Sequence, residues 1–216
     1  MSSTDDVARP DDAMAVAREY LRLERPANAL VVALAVVLFV GAYLATSLLP
    51  AVLVAAVIVV VARAPVLESH GTAELTSADP PETVLEEFSG PTPPVLAFQW
   101  GAADAVTVDD DGRVEYPISY LFGLRTAVAT VDRETTGTDD GHRVELTVDV
   151  DGSPWATYTA TITEADGGSR IEVEYRSERR FGLRRVPQQR VAARYRDDAL
   201  DAQGYTVVSR ESHFGV

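Results

Sequence analysis

With 216 residues the chain is long enough for one folded domain and an accessory segment. It carries 33 acidic residues against 19 basic ones, a net charge of −14, and every basic residue is arginine. It has no cysteine, which excludes disulfides, iron–sulfur clusters and thiol chemistry.

Residues 1–9 (MSSTDDVAR) are polar and read as a disordered N-terminus. Pro10, Asp11 and Asp12 then open a helix over 10–26. Met14, Ala17, Tyr20 and Leu21 share one face of it, and Arg18, Arg22 and Arg25 flank that face. This pattern suits an interfacial helix, or equally a helix packed on the folded domain.

From Ala27 to Ala62 there are 36 residues without an Asp, Glu, Lys, Arg or His. One straight helix of that length would be about 54 Å long, against a hydrocarbon core of about 30 Å. Thr46, Ser47 and Pro50 supply a break, because proline lacks the backbone donor. The expectation is a two-helix transmembrane hairpin within 27–66, with spans at Ala29–Ala45 and Ala51–Val66. Arg18, Arg22, Arg25 and Arg63 flank it, so both termini are expected on the cytoplasmic side of the cell membrane. The competing reading is a buried helical hairpin.

Residues 67–216 read as a separate α+β domain. Beyond a linker at Ala64–Glu68 the pattern turns to period two, the mark of half-buried strands. His70–Ser77 is the first strand. Asp79-Pro80-Pro81-Glu82 opens a short helix over Pro80–Phe88. Strands follow at Val95–Trp100, Ala105–Asp109, Arg113–Leu124, Thr126–Arg133, His142–Val150, Trp155–Thr163 and Arg170–Arg176, with Gly-containing turns between several of them. Val186–Gln203 reads as a long C-terminal helix opened by Pro187 and closed by Gly204. Tyr205–Ser212 is a last strand or an extended tail.

No catalytic signature is present. His70, His142 and His213 are far apart in sequence and lack ligand-like spacing, so no metal site is expected. There is no HExxH, GxSxG, Walker or dinucleotide fingerprint, and no cofactor is implied. One charge feature departs from the acidic background. Eight arginines and a single acid, Glu178, lie between Arg176 and Arg196. Arg179, Arg180, Arg184 and Arg185 are candidates for contact with anionic lipid headgroups. Pairing with Glu172 and Glu174 is the alternative. Nucleic acid is disfavoured by the acidic chain.

Two resemblances follow. An acid-rich, lysine-free composition with abundant Ala, Val, Thr and Asp resembles proteins of salt-in halophiles, where salt screens charges over about 3 Å. The segments GTAELTSADPPETVLEEF and DGGSRIEVEYRSERRFGLRR, with the order strand, short helix, antiparallel meander and long helix, resemble the helix-grip fold of the START/polyketide-cyclase-like (SRPBCC) superfamily. The resemblance covers about Ser69–Gln203. It departs from the family in having one early helix rather than two, and in the strand after the last helix. It implies a curved sheet gripping the long helix around an apolar pocket. Phe98, Trp100, Tyr116, Tyr120, Phe122, Trp155, Tyr158 and Tyr195 are then the candidate lining; ordinary core is the plain alternative. The expected function is a membrane-anchored, non-enzymatic binding domain for a lipid or other apolar ligand. The alternative is a structural or assembly protein with a solid β core. A cyclase-type enzyme would need titratable groups inside the pocket.

Overall fold

The computed structural model describes residues 6–64, 68–120, 123–180 and 195–215, without the side chains of 21, 23–32, 61–63 and 214–215. Its elements are α1 (Asp11–Ala45), α2 (Leu48–Arg63), β1 (Glu68–Ser77), α3 (Pro81–Ser89), a 3₁₀ turn (Pro94–Leu96), α4 (Ala97–Ala102), β2 (Thr107–Val108), β3 (Val114–Tyr120), β4 (Arg125–Thr138), β5 (Gly141–Val150), β6 (Ser153–Ala165), β7 (Gly168–Ser177), a helix α5 over 195–201, and β8 (Tyr205–Gly215).

All eight strands form one antiparallel sheet in the order β2-β3-β4-β5-β6-β7-β1-β8. The meander β3 to β7 follows from alternation interrupted by turn residues. At Asp151-Gly152 both residues have positive φ, 51° and 70°, the backbone that a tight hairpin of the primed type demands. β1 closes the meander against β7, and β8 adds to the outer side of β1. Leu75, Val114, Tyr116, Val131, Val144, Leu146, Ile162 and Ile171 point to one face of the sheet and form the core with Val84 and Phe88 of α3, Trp100 of α4, and Ala199 and Leu200 of α5.

The transmembrane hairpin expected from the apolar run is not found. Among the described residues no helix is long and apolar enough to cross a membrane. With 16 residues, α2 is about 24 Å long, short of the roughly 30 Å hydrocarbon core. The 35-residue α1 begins as part of the domain: Ala13, Met14, Ala17 and Tyr20 are buried. The cell-membrane placement with two cytoplasmic termini loses its basis with the spans. The apolar halves of α1 and α2 do pack on one another, through a turn in which the Thr46 hydroxyl donates to the Ala42 carbonyl at 2.7 Å. Their outer sides stay uncovered; Leu44 is 78% and Leu49 73% exposed.

Two further corrections concern helices. The long helix is the N-terminal α1, not a C-terminal one. Of the expected Val186–Gln203 helix, 195–201 is helical, 202–204 is turn, and 186–194 lies outside the described residues. Val95–Trp100 is not a strand but the end of a 3₁₀ turn running into α4. Pro93 and Pro94 set a compact start there, and a short apolar run without clear alternation does not distinguish strand from helix. The domain thus has two early helices, α3 and α4.

The segment before α1 is tied to the domain. The Val7 amide donates to the Val106 carbonyl, and the Val106 amide to Asp6 Oδ1, each at 2.9 Å. Arg9 donates to the Trp100 and Ala103 carbonyls at 3.3 and 2.7 Å, which satisfies the C-terminal end of α4.

Candidate functional site

Cross-strand partners in an antiparallel sheet put their side chains on the same face. On the inner face, residue size changes from row to row along the strands. One row across the sheet reads Ile162, Ile171, Leu75. The next reads Val144, Ala160, Val173, Ala73. The third reads Leu146, Tyr158, Tyr175, Gly71. The fourth reads Val148, Ala156, Ser177, with Ser69 two residues from Gly71 on the same face. Val84 and Phe88 of α3 share one core with the first row. At the other end, Ala156, Ser177 and Ser69 contribute little volume of their own, while Gly71 is closed over by the Glu211 carbonyl of β8 and the Tyr175 ring.

Two tyrosines stand at that end. Their rings stack at 6.3 Å between centroids. Tyr175 lies across Gly71, where an added Cβ would come within 2.7 Å of the ring. The Tyr175 hydroxyl and the Ser69 hydroxyl, whose residue is buried, are 3.1 Å apart. From α4, Gln99 Nε2 donates to the Tyr158 hydroxyl at 3.3 Å. Burial pushes the Tyr158 hydroxyl above the ordinary tyrosine range, and the Arg196 charge and the Gln99 hydrogen bond partly offset it. The hydroxyls of Tyr158, Tyr175 and Ser69 therefore stand on this face, with Gln99 of α4 reaching Tyr158 from above.

A second group of aromatics holds the helices above this end. Tyr20 of α1 stacks on Phe98 of α4 at 4.6 Å and meets Tyr195 of α5 at 6.0 Å. Arg210 of β8 reaches Asp197 of α5 at 2.7 Å.

The eight expected lining residues separate into four groups. Tyr158 stands on the inner face of the sheet, and Phe98 and Tyr195 each meet Tyr20 of α1. Trp155 has the Arg179 guanidinium 5.6 Å from its ring centroid, a cation–π contact. Trp100 and Tyr116 are fully buried, and each has its polar atom matched: the indole N–H donates to the Pro93 carbonyl at 2.9 Å, the phenol to the Pro91 carbonyl at 2.8 Å. Tyr120 is 43% exposed, past the end of the core on β3; Phe122 lies outside the described residues. Of the four arginines, Arg179 covers Trp155 and Arg180 pairs with Glu68 at 2.8 Å, while Arg184 and Arg185 lie outside the described residues.

Ser69, Gly71, Gln99 and Tyr175 were not among the eight expected lining residues. Gly71 was the available signal, since glycine inside a strand marks a close approach by another group.

No family model matches this chain, and no curated protein matches it. Among solved structures it is similar to a conserved protein from Geobacillus kaustophilus, at 12% identity over 68% of this chain and 99% of that one, TM-score 0.42. A START superfamily protein from Mycobacterium smegmatis matches at 10% identity over 62% of this chain and 94% of its own, TM-score 0.42. Ara h 8.0201 matches at 13% identity over 62% and 94%, TM-score 0.43.

Proposed function

We propose that the domain binds an apolar small molecule carrying one polar group, a lipid-like ligand, over the small-residue end of the sheet. The observation that supports this reading is the combination on one face of Ala156, Ser177 and Ser69 with the hydroxyls of Tyr158 and Tyr175. A sheet whose only task was to fill a core would carry branched side chains there, as it does under α3. Buried hydroxyls fix the orientation of an apolar ligand because leaving the partner unbonded costs about 1–3 kcal/mol.

The alternative, a structural protein with a filled core, draws on Trp100 and Tyr116. Both are fully buried and hydrogen-bonded to the proline-rich loop, which is ordinary core packing. Binding of a fluorescent fatty-acid analogue separates the two. The proposal expects saturable binding that weakens about tenfold or more in Tyr158→Phe with Tyr175→Phe. Equal binding by the double variant, or none by the parent protein, favours the filled core.

A further inference from the structure

We propose that His70 and His213 form a binding site for one first-row divalent cation with high affinity for imidazole, of the Cu²⁺, Ni²⁺ and Zn²⁺ group, on the outer face of β1 and β8. The two residues are 143 positions apart in sequence. The register makes them direct cross-strand partners. Both are exposed, and their rings lie 5.6 Å apart between centroids at an interplanar angle of 13°.

That spacing fits a shared ion. A metal–imidazole nitrogen bond is about 2.0–2.1 Å, which puts each ring centre about 3.2 Å from the ion. Two imidazoles on one tetrahedral ion then have centroids about 5.2 Å apart. The observed 5.6 Å is within half an ångström of this. The parallel rings must rotate about Cβ–Cγ to aim one nitrogen each at the ion, and nothing buried opposes the rotation. Glu211 lies two residues from His213 on the same face, and Glu68 two residues from His70, where it holds Arg180. Among the described residues no group of three His, Cys, Asp or Glu is arranged to hold a metal. The site therefore supplies two nitrogen ligands and leaves the other positions to water. Such a donor set selects late first-row cations over Mg²⁺ and Ca²⁺, which require oxygen ligands.

The consequence is a clip on the edge strand. Among the described residues β8 pairs with β1 alone, and an ion held by both strands binds only when they are in register. In the unfolded chain the two imidazoles are far apart and bind singly.

The test is calorimetric titration of the full chain with Zn²⁺ and Ni²⁺ at neutral pH, with Mg²⁺ as control. We expect one Zn²⁺ or Ni²⁺ per chain, an affinity loss of at least about tenfold in His70→Asn and in His213→Asn, and no change in His142→Asn. Retained affinity in either of the first two variants, or an equal loss in His142→Asn, overturns the site. Copper EPR on the unaltered protein is a check that needs no variant. Hyperfine splitting from two nitrogens supports the pair; splitting from one refutes it.

Discussion

Replacing Gly101 with alanine tests whether the start of α1 belongs to the domain. Gly101 lies on α4 against Ala17 of α1, and an added Cβ would sit 2.6 Å from the Ala17 Cβ. Carbon atoms prefer roughly 3.5–4.0 Å, so the helices must separate by about 1 Å. The neighbouring contacts resist this: Tyr20 is stacked on Phe98, and Arg9 is bonded to the Trp100 and Ala103 carbonyls. Overpacking of this kind costs about 1–3 kcal/mol. Alanine in place of glycine recovers about 1 kcal/mol of helix propensity. The expected net loss is therefore about 0–2 kcal/mol, and the sharper quantity is the coupling. Removing the opposing methyl by Ala17→Gly should relieve the clash, giving a favourable coupling of about 1–2 kcal/mol in the double-mutant cycle. Urea unfolding at constant m-value measures it. If Gly101→Ala raises stability by the propensity gain alone and shows no coupling to Ala17, α1 does not pack on α4 and the reasoning fails.

Three further outcomes follow. Burial pushes the hydroxyls of Tyr116, Tyr158 and Tyr205 upward, and Glu87, which accepts the Tyr205 hydrogen bond, adds to the last. Above about pH 10 the unfolded chain releases protons that the folded chain keeps, so stability is complete below that pH and falls above it by about 1.4 kcal/mol per pH unit for each such tyrosine. Urea midpoints between pH 8 and 11 should show this fall, and a smaller one in Tyr205→Phe; an unchanged slope would contradict the burial assigned to that hydroxyl. Arg133 donates to the Ser89 carbonyl at 2.7 Å and the Gly112 carbonyl at 2.6 Å, joining α3 and the β2–β3 turn to β4. Arg133→Met should cost about 1.5–3 kcal/mol in chemical denaturation, whereas a cost below about 0.5 kcal/mol would show the clamp to be idle. With a net charge of −14, the thermal midpoint should rise as sodium chloride screens self-repulsion; a fall between low and molar salt would show that ion pairs dominate instead.

Much of the sheet was readable because alternation and turn chemistry agree locally. His142–Val150, Asp151-Gly152 and Trp155–Thr163 carry both signals, and β5 and β6 form within two residues of the expected limits. α4 was not readable: six residues between prolines and a Gly-Ala end have no period long enough to judge. The apolar run between Ala27 and Ala62 does form helices, but its length alone could not reveal that α1 starts on the domain surface and that α2 ends at Arg63. For the proposed site, the sequence offered only its aromatics, Phe98, Trp100, Tyr116, Tyr120, Phe122, Trp155, Tyr158 and Tyr195, and aromatic character alone does not separate a ligand contact from the buried, hydrogen-bonded Trp100 and Tyr116 or the 43% exposed Tyr120. The Tyr175–Ser69 bond and the His70–His213 pair depend on strand register between β1, β7 and β8, a long-range property that no local pattern encodes.

The most direct test of ligand binding over the small-residue end of the sheet is paramagnetic broadening by a nitroxide-labelled fatty acid, read residue by residue in the amide spectrum. The proposal predicts losses concentrated at Ser69, Gly71, Ala156, Tyr158 and Tyr175. Broadening confined to the exposed sides of α1 and α2, around Leu44 and Leu49, with those five amides untouched, would contradict it.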